Sequence, residues 1–133
     1  MDTTTAPASI APWSACSTVI EALAARDFPA LGRGFAPTAR FRALLPPCTV
    51  DVTGRDAITG LFSEWFGNTE SVELVDVVVA QIGSRLHLSW RLHVHESPHA
   101  PGWSVIEQHL FVDGHDTIEQ ADLLCSGFVE MQP

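Results

Sequence analysis

The sequence predicts an α+β domain in which a curved antiparallel sheet wraps, cone-like, around about three N-terminal helices. Two observations carry this. Four strand-like runs, Val72–Ile82, Arg85–Glu96, Trp103–Asp113 and Thr117–Val129, follow one another as a long meander. The segments ahead of them carry apolar residues at helical spacing instead. A bent sheet covered by helices on one side encloses a space, so the residues facing that space become the candidates for function.

The elements follow in order. Residues 1–11, rich in Thr, Ala, Pro and Ser, read as a flexible tail, and 12–133 as a single domain. Pro12 suits a first helical position, and Trp13, Cys16, Ile20 and Leu23 follow at helical spacing. Asp27 is placed to cap a short second helix through Phe28-Pro29-Ala30-Leu31, which ends near Gly32 and Gly34. Phe41 to Leu45 reads as a short strand stopped by Pro46-Pro47. Thr53-Gly54-Arg55-Asp56 matches a capping box, and the helix it opens carries Ile58, Leu61, Phe62, Trp65 and Phe66 on one stripe until Gly67.

Register in the central hairpin decides which side chains share the enclosed space. Placing Glu96 opposite Trp103 pairs Trp90 with His109, Leu92 with Glu107 and Leu88 with Phe111. Alternation then puts Leu86, Leu88, Trp90, Leu92, Val94, Val105, Glu107, His109 and Phe111 on the helix-covered face. Ile106, Gln108, Leu110 and Val112 fall on the other. A slip of one residue inverts the assignment.

Composition bounds the function. A net charge of -9 argues against nucleic acid, which needs a concentrated basic face. No apolar run reaches the length of a membrane span, and the start shows no secretory signal, so a cytoplasmic location is expected. All seven basic residues are Arg, so a Schiff-base lysine is unavailable, and the absence of Tyr removes any phenolic oxyanion donor. Cys16, Cys48 and Cys125 show no zinc-type or redox spacing and are expected to be reduced.

Three segments resemble the nuclear transport factor 2-like superfamily, in particular its SnoaL-like branch. Val19 to Asp27 resembles the first helix and the Asp after it; Gly54-Arg55-Asp56-Ala57-Ile58 resembles the G-x-x-A-I start of the third helix; Glu107-x-His109-x-Phe111-Val112-Asp113-Gly114 resembles a late strand ending in a D-G turn. The resemblance implies a cone-shaped domain with an apolar pocket and a homodimer paired through the outer sheet face. It does not fix an activity, because the superfamily holds isomerases, cyclases, hydrolases and non-catalytic binding domains. The ketosteroid isomerase pattern falls on Val19 where a Tyr is needed, on Ala43 where the base is needed, and on Glu107 or Gln108 for the late-strand acid. The epoxide hydrolase pattern needs an Asp near Leu123 and lacks it.

On the predicted register Glu107 and His109 point together into the pocket, a carboxylate and an imidazole able to move a proton beside a carbonyl. They are the candidate catalytic residues of a cofactor-independent isomerase, cyclase or dehydratase acting on a small hydrophobic carbonyl compound. The alternative is a buried structural pair in a non-catalytic domain that binds a small hydrophobic molecule or mediates dimerisation. A tight turn at Gly114-His115 would bring Asp122 opposite Glu107; the longer turn implied by the resemblance, and favoured here, puts Ala121, Leu123 and Cys125 inside and Asp122 outside. Trp13, Cys16, Phe62, Trp65, Trp90, Trp103 and Phe111 are the candidate ligand-binding residues. His93 and His95 share a strand face and offer a minor metal-binding alternative, outweighed by a solvated strand end, so no metal is assigned. The outer face, expected to carry Ile106, Leu110, Val112, Ile118 and Leu124 among Arg91, Gln108 and Gln120, is the expected dimer surface.

Overall fold

The computed structural model describes residues 11–97, 99 and 102–131, so the proposed tail at 1–10 lies outside the described residues. Three helices, α1 (Trp13–Ala25), α2 (Phe28–Gly32) and α3 (Arg55–Phe66), pack against one sheet built from β1 (Phe35–Leu45), β2 (Cys48–Thr53), β3 (Ser71–Ile82), β4 (Arg85–His95), β5 (Ser104–Gly114), β6 (Ile118–Cys125) and β7 (Val129–Glu130). The strand order is β2-β1-β6-β5-β4-β3, with β7 pairing to β5 beside β6. The sheet is curved, unclosed and mixed, because β1 and β6 run parallel while the remaining neighbours are antiparallel.

Each helix follows from local chemistry. α1 buries Ala15, Cys16, Val19, Ala22 and Leu23 along one stripe. It ends at Arg26, whose left-handed backbone (φ 53°) turns the chain while its guanidinium donates to the carbonyls of Phe66, the last residue of α3, and of Thr69 just after it. Asp27 caps α2 as expected, its carboxylate accepting the Ala30 N–H at 3.2 Å. Gly32 lies so close to Thr59 Oγ1 that a Cβ there would collide, which lets α2 and α3 approach. Arg55 fixes the start of α3 by donating from Nε and Nη2 to the Phe35 carbonyl at 3.0 and 2.9 Å.

Four local expectations need correction. The capping box does not form: Thr53 belongs to β2, and Gly54, with φ 106° and no side chain, is the N-cap of α3. Aspartate at position 56 still sits in the first turn, where the helix dipole favours it. The short strand at Phe41–Leu45 is the end of an eleven-residue β1, and the chain after Pro46-Pro47 returns as β2 with Leu45 opposite Cys48. The long last run is two strands; Gly127 (φ 78°) breaks it, and the Ser126 hydroxyl accepts the Glu107 N–H at the break.

The fourth correction is the hairpin register. Trp90 faces Gln108, Arg91 faces Glu107, Leu92 faces Ile106 and Leu88 faces Leu110, one residue away from the predicted pairing. On β4 the inward residues are as expected, with Leu86, Leu88, Trp90, Leu92 and Val94 buried. On β5 the assignment inverts: Ile106, Gln108, Leu110 and Val112 are buried, and Glu107, His109 and Phe111 lie on the outer face. Desolvation gives the reason, since burying three aliphatic side chains and a neutral amide is cheaper than burying a carboxylate and an imidazole.

On β6 the longer-turn arrangement holds. Ala121 and Leu123 are buried, while Asp122 faces outward opposite Phe111 and Arg42. Ile118 is also buried, so of the aliphatics expected outside only Leu124 is there.

Candidate functional site

The inner face is built from aliphatic side chains and a run of rings. Phe35, Phe41, Phe62, Trp65 and Phe66 meet mostly edge to face, with centroids 5.1 to 6.4 Å apart, and Phe128 extends the run from Phe66 to the surface at 6.2 Å. Among the described residues the one buried polar or charged side chain is Gln108, 1% exposed. Its position is dictated from both sides. The Trp90 indole N–H donates to Gln108 Oε1 at 2.8 Å, and Gln108 Nε2 donates to Cys125 Sγ at 3.4 Å. Because an indole nitrogen can only donate, the amide orientation is determined. Cys125 Sγ also accepts the Gly127 N–H at 3.4 Å.

This string of polar groups leads from the core toward a groove at the Pro46-Pro47 turn. The groove has a volume of about 730 Å³ and is bordered by Leu44, Leu45, Pro46, Pro47, Cys48, Thr49, Leu124 and Cys125. Its lining carries no carboxylate, imidazole or guanidinium, so what it offers is apolar contact, one hydroxyl and two thiols.

The predicted ligand residues divide between the two sides. Cys16, Phe62 and Trp90 are buried in the inner cluster, with Trp65 partly buried against it. Burial alone pushes the Cys16 thiol up to about 12, so it packs as a small apolar group and not as a nucleophile. The remaining three lie outside the inner cluster. Trp13 is 45% exposed at the start of α1. Trp103 stacks on His95 at the end of β4, with centroids 5.3 Å apart. Phe111 lies on the outer face, stacked on His87 at 4.4 Å.

The predicted catalytic pair is likewise on the outer face. Glu107 and His109 side chains are 46% and 37% exposed, with His109 Nε2 3.8 Å from Glu107 Oε2. Arg91 donates from Nε and Nη2 to Glu107 Oε1 at 3.1 and 2.8 Å. That hydrogen-bonded guanidinium holds the Glu107 carboxyl below the usual carboxylate range, the reverse of the raised value an apolar pocket would produce. The two groups border a recess of about 160 Å³ with Asp76, Ser89, Trp90 and Arg91. Ser89 lies directly opposite His109. Both imidazole nitrogens of His109 already face other groups, Nδ1 toward His87 and Nε2 toward Glu107.

Ion pairs cover the rest of this face. Arg40 pairs with Asp51 at 2.8 Å, Arg42 with Asp122 at 2.7 Å, and Arg85 with Asp113 and Asp122 at 3.0 and 3.3 Å. Partial burial raises the Asp122 carboxyl, but Arg42 and Arg85 outweigh it and hold the group below its ordinary value. Among the described residues no group of three or more His, Cys, Asp or Glu side chains could hold a metal ion. None of the described helices is long and apolar enough to cross a membrane.

Sequence reasoning missed Gln108 as the inward group. The signal was present: the late-strand acid position falls on Glu107 or Gln108, and of these only the neutral amide is inexpensive to bury.

Comparison with known proteins agrees with this architecture. Residues 17–122 match the SnoaL-like domain. A ketosteroid isomerase-like fold protein of Catenulispora acidiphila DSM 44928, determined in complex with trimethylamine, is 17% identical over 85% of each chain, with a TM-score of 0.69. A candidate polyketide cyclase of Xanthomonas campestris pv. campestris is 17% identical, covering 85% of this chain and 88% of its own, with a TM-score of 0.67. A cystatin-fold protein of Novosphingobium aromaticivorans is 11% identical, covering 86% and 98%, with a TM-score of 0.67. At these identities the likeness is one of fold. No curated protein matches the chain.

Proposed function

This chain belongs to the SnoaL-like domain family, and we propose that it is a binding member of that family, taking a small, largely apolar molecule without acid–base chemistry. The observation that carries the reading is the lining of the 730 Å³ groove, which is apolar apart from Thr49 and the thiols of Cys48 and Cys125. A volume in this range suits a small organic ligand. Cys125, tied through Gln108 to Trp90, gives the groove a polar edge backed by a rigid hydrogen-bonded string. Proton transfer within a dry site needs a titrating group whose ordinary value has been moved toward neutrality. The carboxylate nominated for that work, Glu107, is exposed, ion-paired and shifted the other way.

The binding reading is tested with Nile red as an apolar probe. Saturable fluorescence enhancement is expected for the native protein, weakened by Leu45→Gln and by Cys125→Ser, and unaffected by Glu107→Gln or His109→Gln. Enhancement abolished by the last two and untouched by the first two would overturn it.

The outer face supports a second part of the proposal, pairing of two copies. Four of the seven arginines are paired there with Asp51, Glu107, Asp113 and Asp122, which offsets much of the acidity of this face. Two copies of an acidic protein repel least where each surface is internally balanced.

A further inference from the structure

We infer that the groove takes an apolar molecule ending in a single carboxylate, and that Arg42 is the residue that receives this head. The inference deepens the groove reading and rests on it, and does not depend on the pairing of two copies. The 730 Å³ groove shares Leu44, Thr49 and Leu124 with an adjoining recess of about 400 Å³, which extends to Arg42, Asp51 and Asp122. Register places these six residues in two rows across β2, β1 and β6. Thr49, Leu44 and Leu124 form one row, and Asp51, Arg42 and Asp122 the next. Two residues along a strand separate the rows, about 7 Å, on the same side of the sheet.

The apolar row is open to contact, with Leu44 56% and Leu124 47% exposed. The charged row holds donors that no described residue uses. Arg42 Nε donates to Asp122 Oδ1 at 2.7 Å, while neither of its Nη groups has a hydrogen-bond partner among the described residues. The other three outer-face arginines are different. Arg40 commits Nε and Nη2 to Asp51, Arg91 commits both to Glu107, and Arg85 divides them between Asp113 and Asp122. The two free Nη groups of a guanidinium present parallel N–H bonds at the spacing of two carboxylate oxygens.

Asp122 does not bar a second carboxylate from Arg42. It holds Arg42 in place through Nε and accepts from Arg85 Nη2 as well, so Arg42 is not its sole counter-charge. Asp51 is likewise held by Arg40. Both acids border the recess all the same, and their charge makes a doubly ionised head such as a phosphate more costly than a singly ionised one. A chain or ring system attached to the carboxylate then passes over Leu44 and Leu124 and reaches the Pro46-Pro47 end of the groove, where no further charged group borders it.

Displacement of Nile red by decanoate and by decanol at about pH 8, where the carboxylate is ionised, tests this. Both are expected to compete for the native groove, decanoate at a concentration lower by about fivefold or more, although the alcohol is the more apolar of the two. Arg42→Gln, checked for folding by circular dichroism, should abolish that preference, and raising the salt concentration should narrow it in the native protein. Arg42→Lys, which keeps a charge beside Asp122 without the paired N–H groups, serves if the first variant does not fold, and should lose most of the preference. Arg91→Gln should retain it. Equal displacement of Nile red by the two compounds in the native protein would overturn the inference and leave the groove reading standing. So would a preference that survives Arg42→Gln, or one that Arg91→Gln removes as fully. Absence of saturable Nile red binding would overturn the groove reading and the inference with it.

Discussion

The two faces of β5 are made from alternate residues of one strand, yet they do different things. Inward, Ile106, Gln108, Leu110 and Val112 form a dry layer with a single amide. Outward, Glu107, His109 and Phe111 join a surface of ion pairs and stacked rings. The contrast teaches that titratable residues on a strand of a pocket-forming fold are not thereby in the pocket. The cost of stripping water from a carboxylate and an imidazole decides which alternate set turns inward.

The largest expected effect lies on the inner side. Trp90→Ala removes a buried ring and the donor to Gln108, and should lower stability by about 3–5 kcal/mol in chemical denaturation. A loss under about 1 kcal/mol would mean that Trp90 is not part of a packed core.

Gln108→Glu sharpens the comparison by placing a carboxyl where the amide is buried. Burial would raise the carboxyl's folded value above its unfolded one, so the protonated form is favoured in the fold. The variant should therefore come nearest native stability in acid and lose ground as pH rises, by about 1–3 kcal/mol at neutrality from the disrupted bond with Trp90 and Cys125. A pH-independent deficit in denaturation would contradict an inward side chain.

The smallest effect belongs to Glu107→Gln. Because Arg91 holds the native carboxyl low, its contribution is present above the ordinary carboxylate range and is lost as pH falls through the folded value. Exposure to solvent screens the pair, so the denaturation midpoint at neutral pH should scarcely move, and the difference between native protein and variant should vanish in acid. A large loss at neutral pH would point to a buried Glu107.

Much of this fold was legible because its signals are local. The apolar face of α1 through Cys16 and Leu23, the Asp27 cap, the apolar rows of α3 and the alternation along β4 each depend on nearby residues, and each is found, although Trp13 at the start of α1 lies outside that face. The candidate site was less legible because it depends on register. The loop between β4 and β5 sets the pairing, a shift of one residue exchanges the faces, and both faces of β5 contain apolar side chains. Val105 and Phe111 make the alternate set of β5 apolar as well, so only the cost of desolvating Glu107 and His109 separates the two faces. The parallel β1–β6 pair was hidden for a related reason: strands far apart in sequence leave no local mark of their direction.

The register of β4 against β5 is tested most directly by nuclear Overhauser contacts from the Trp90 indole N–H. The structure places the Gln108 side chain 2.8 Å from it, so strong cross-peaks to the Gln108 side-chain protons are expected. Cross-peaks to the His109 ring in their place, with Trp90 opposite His109 along the backbone, would return Glu107 and His109 to the inner face and contradict the account.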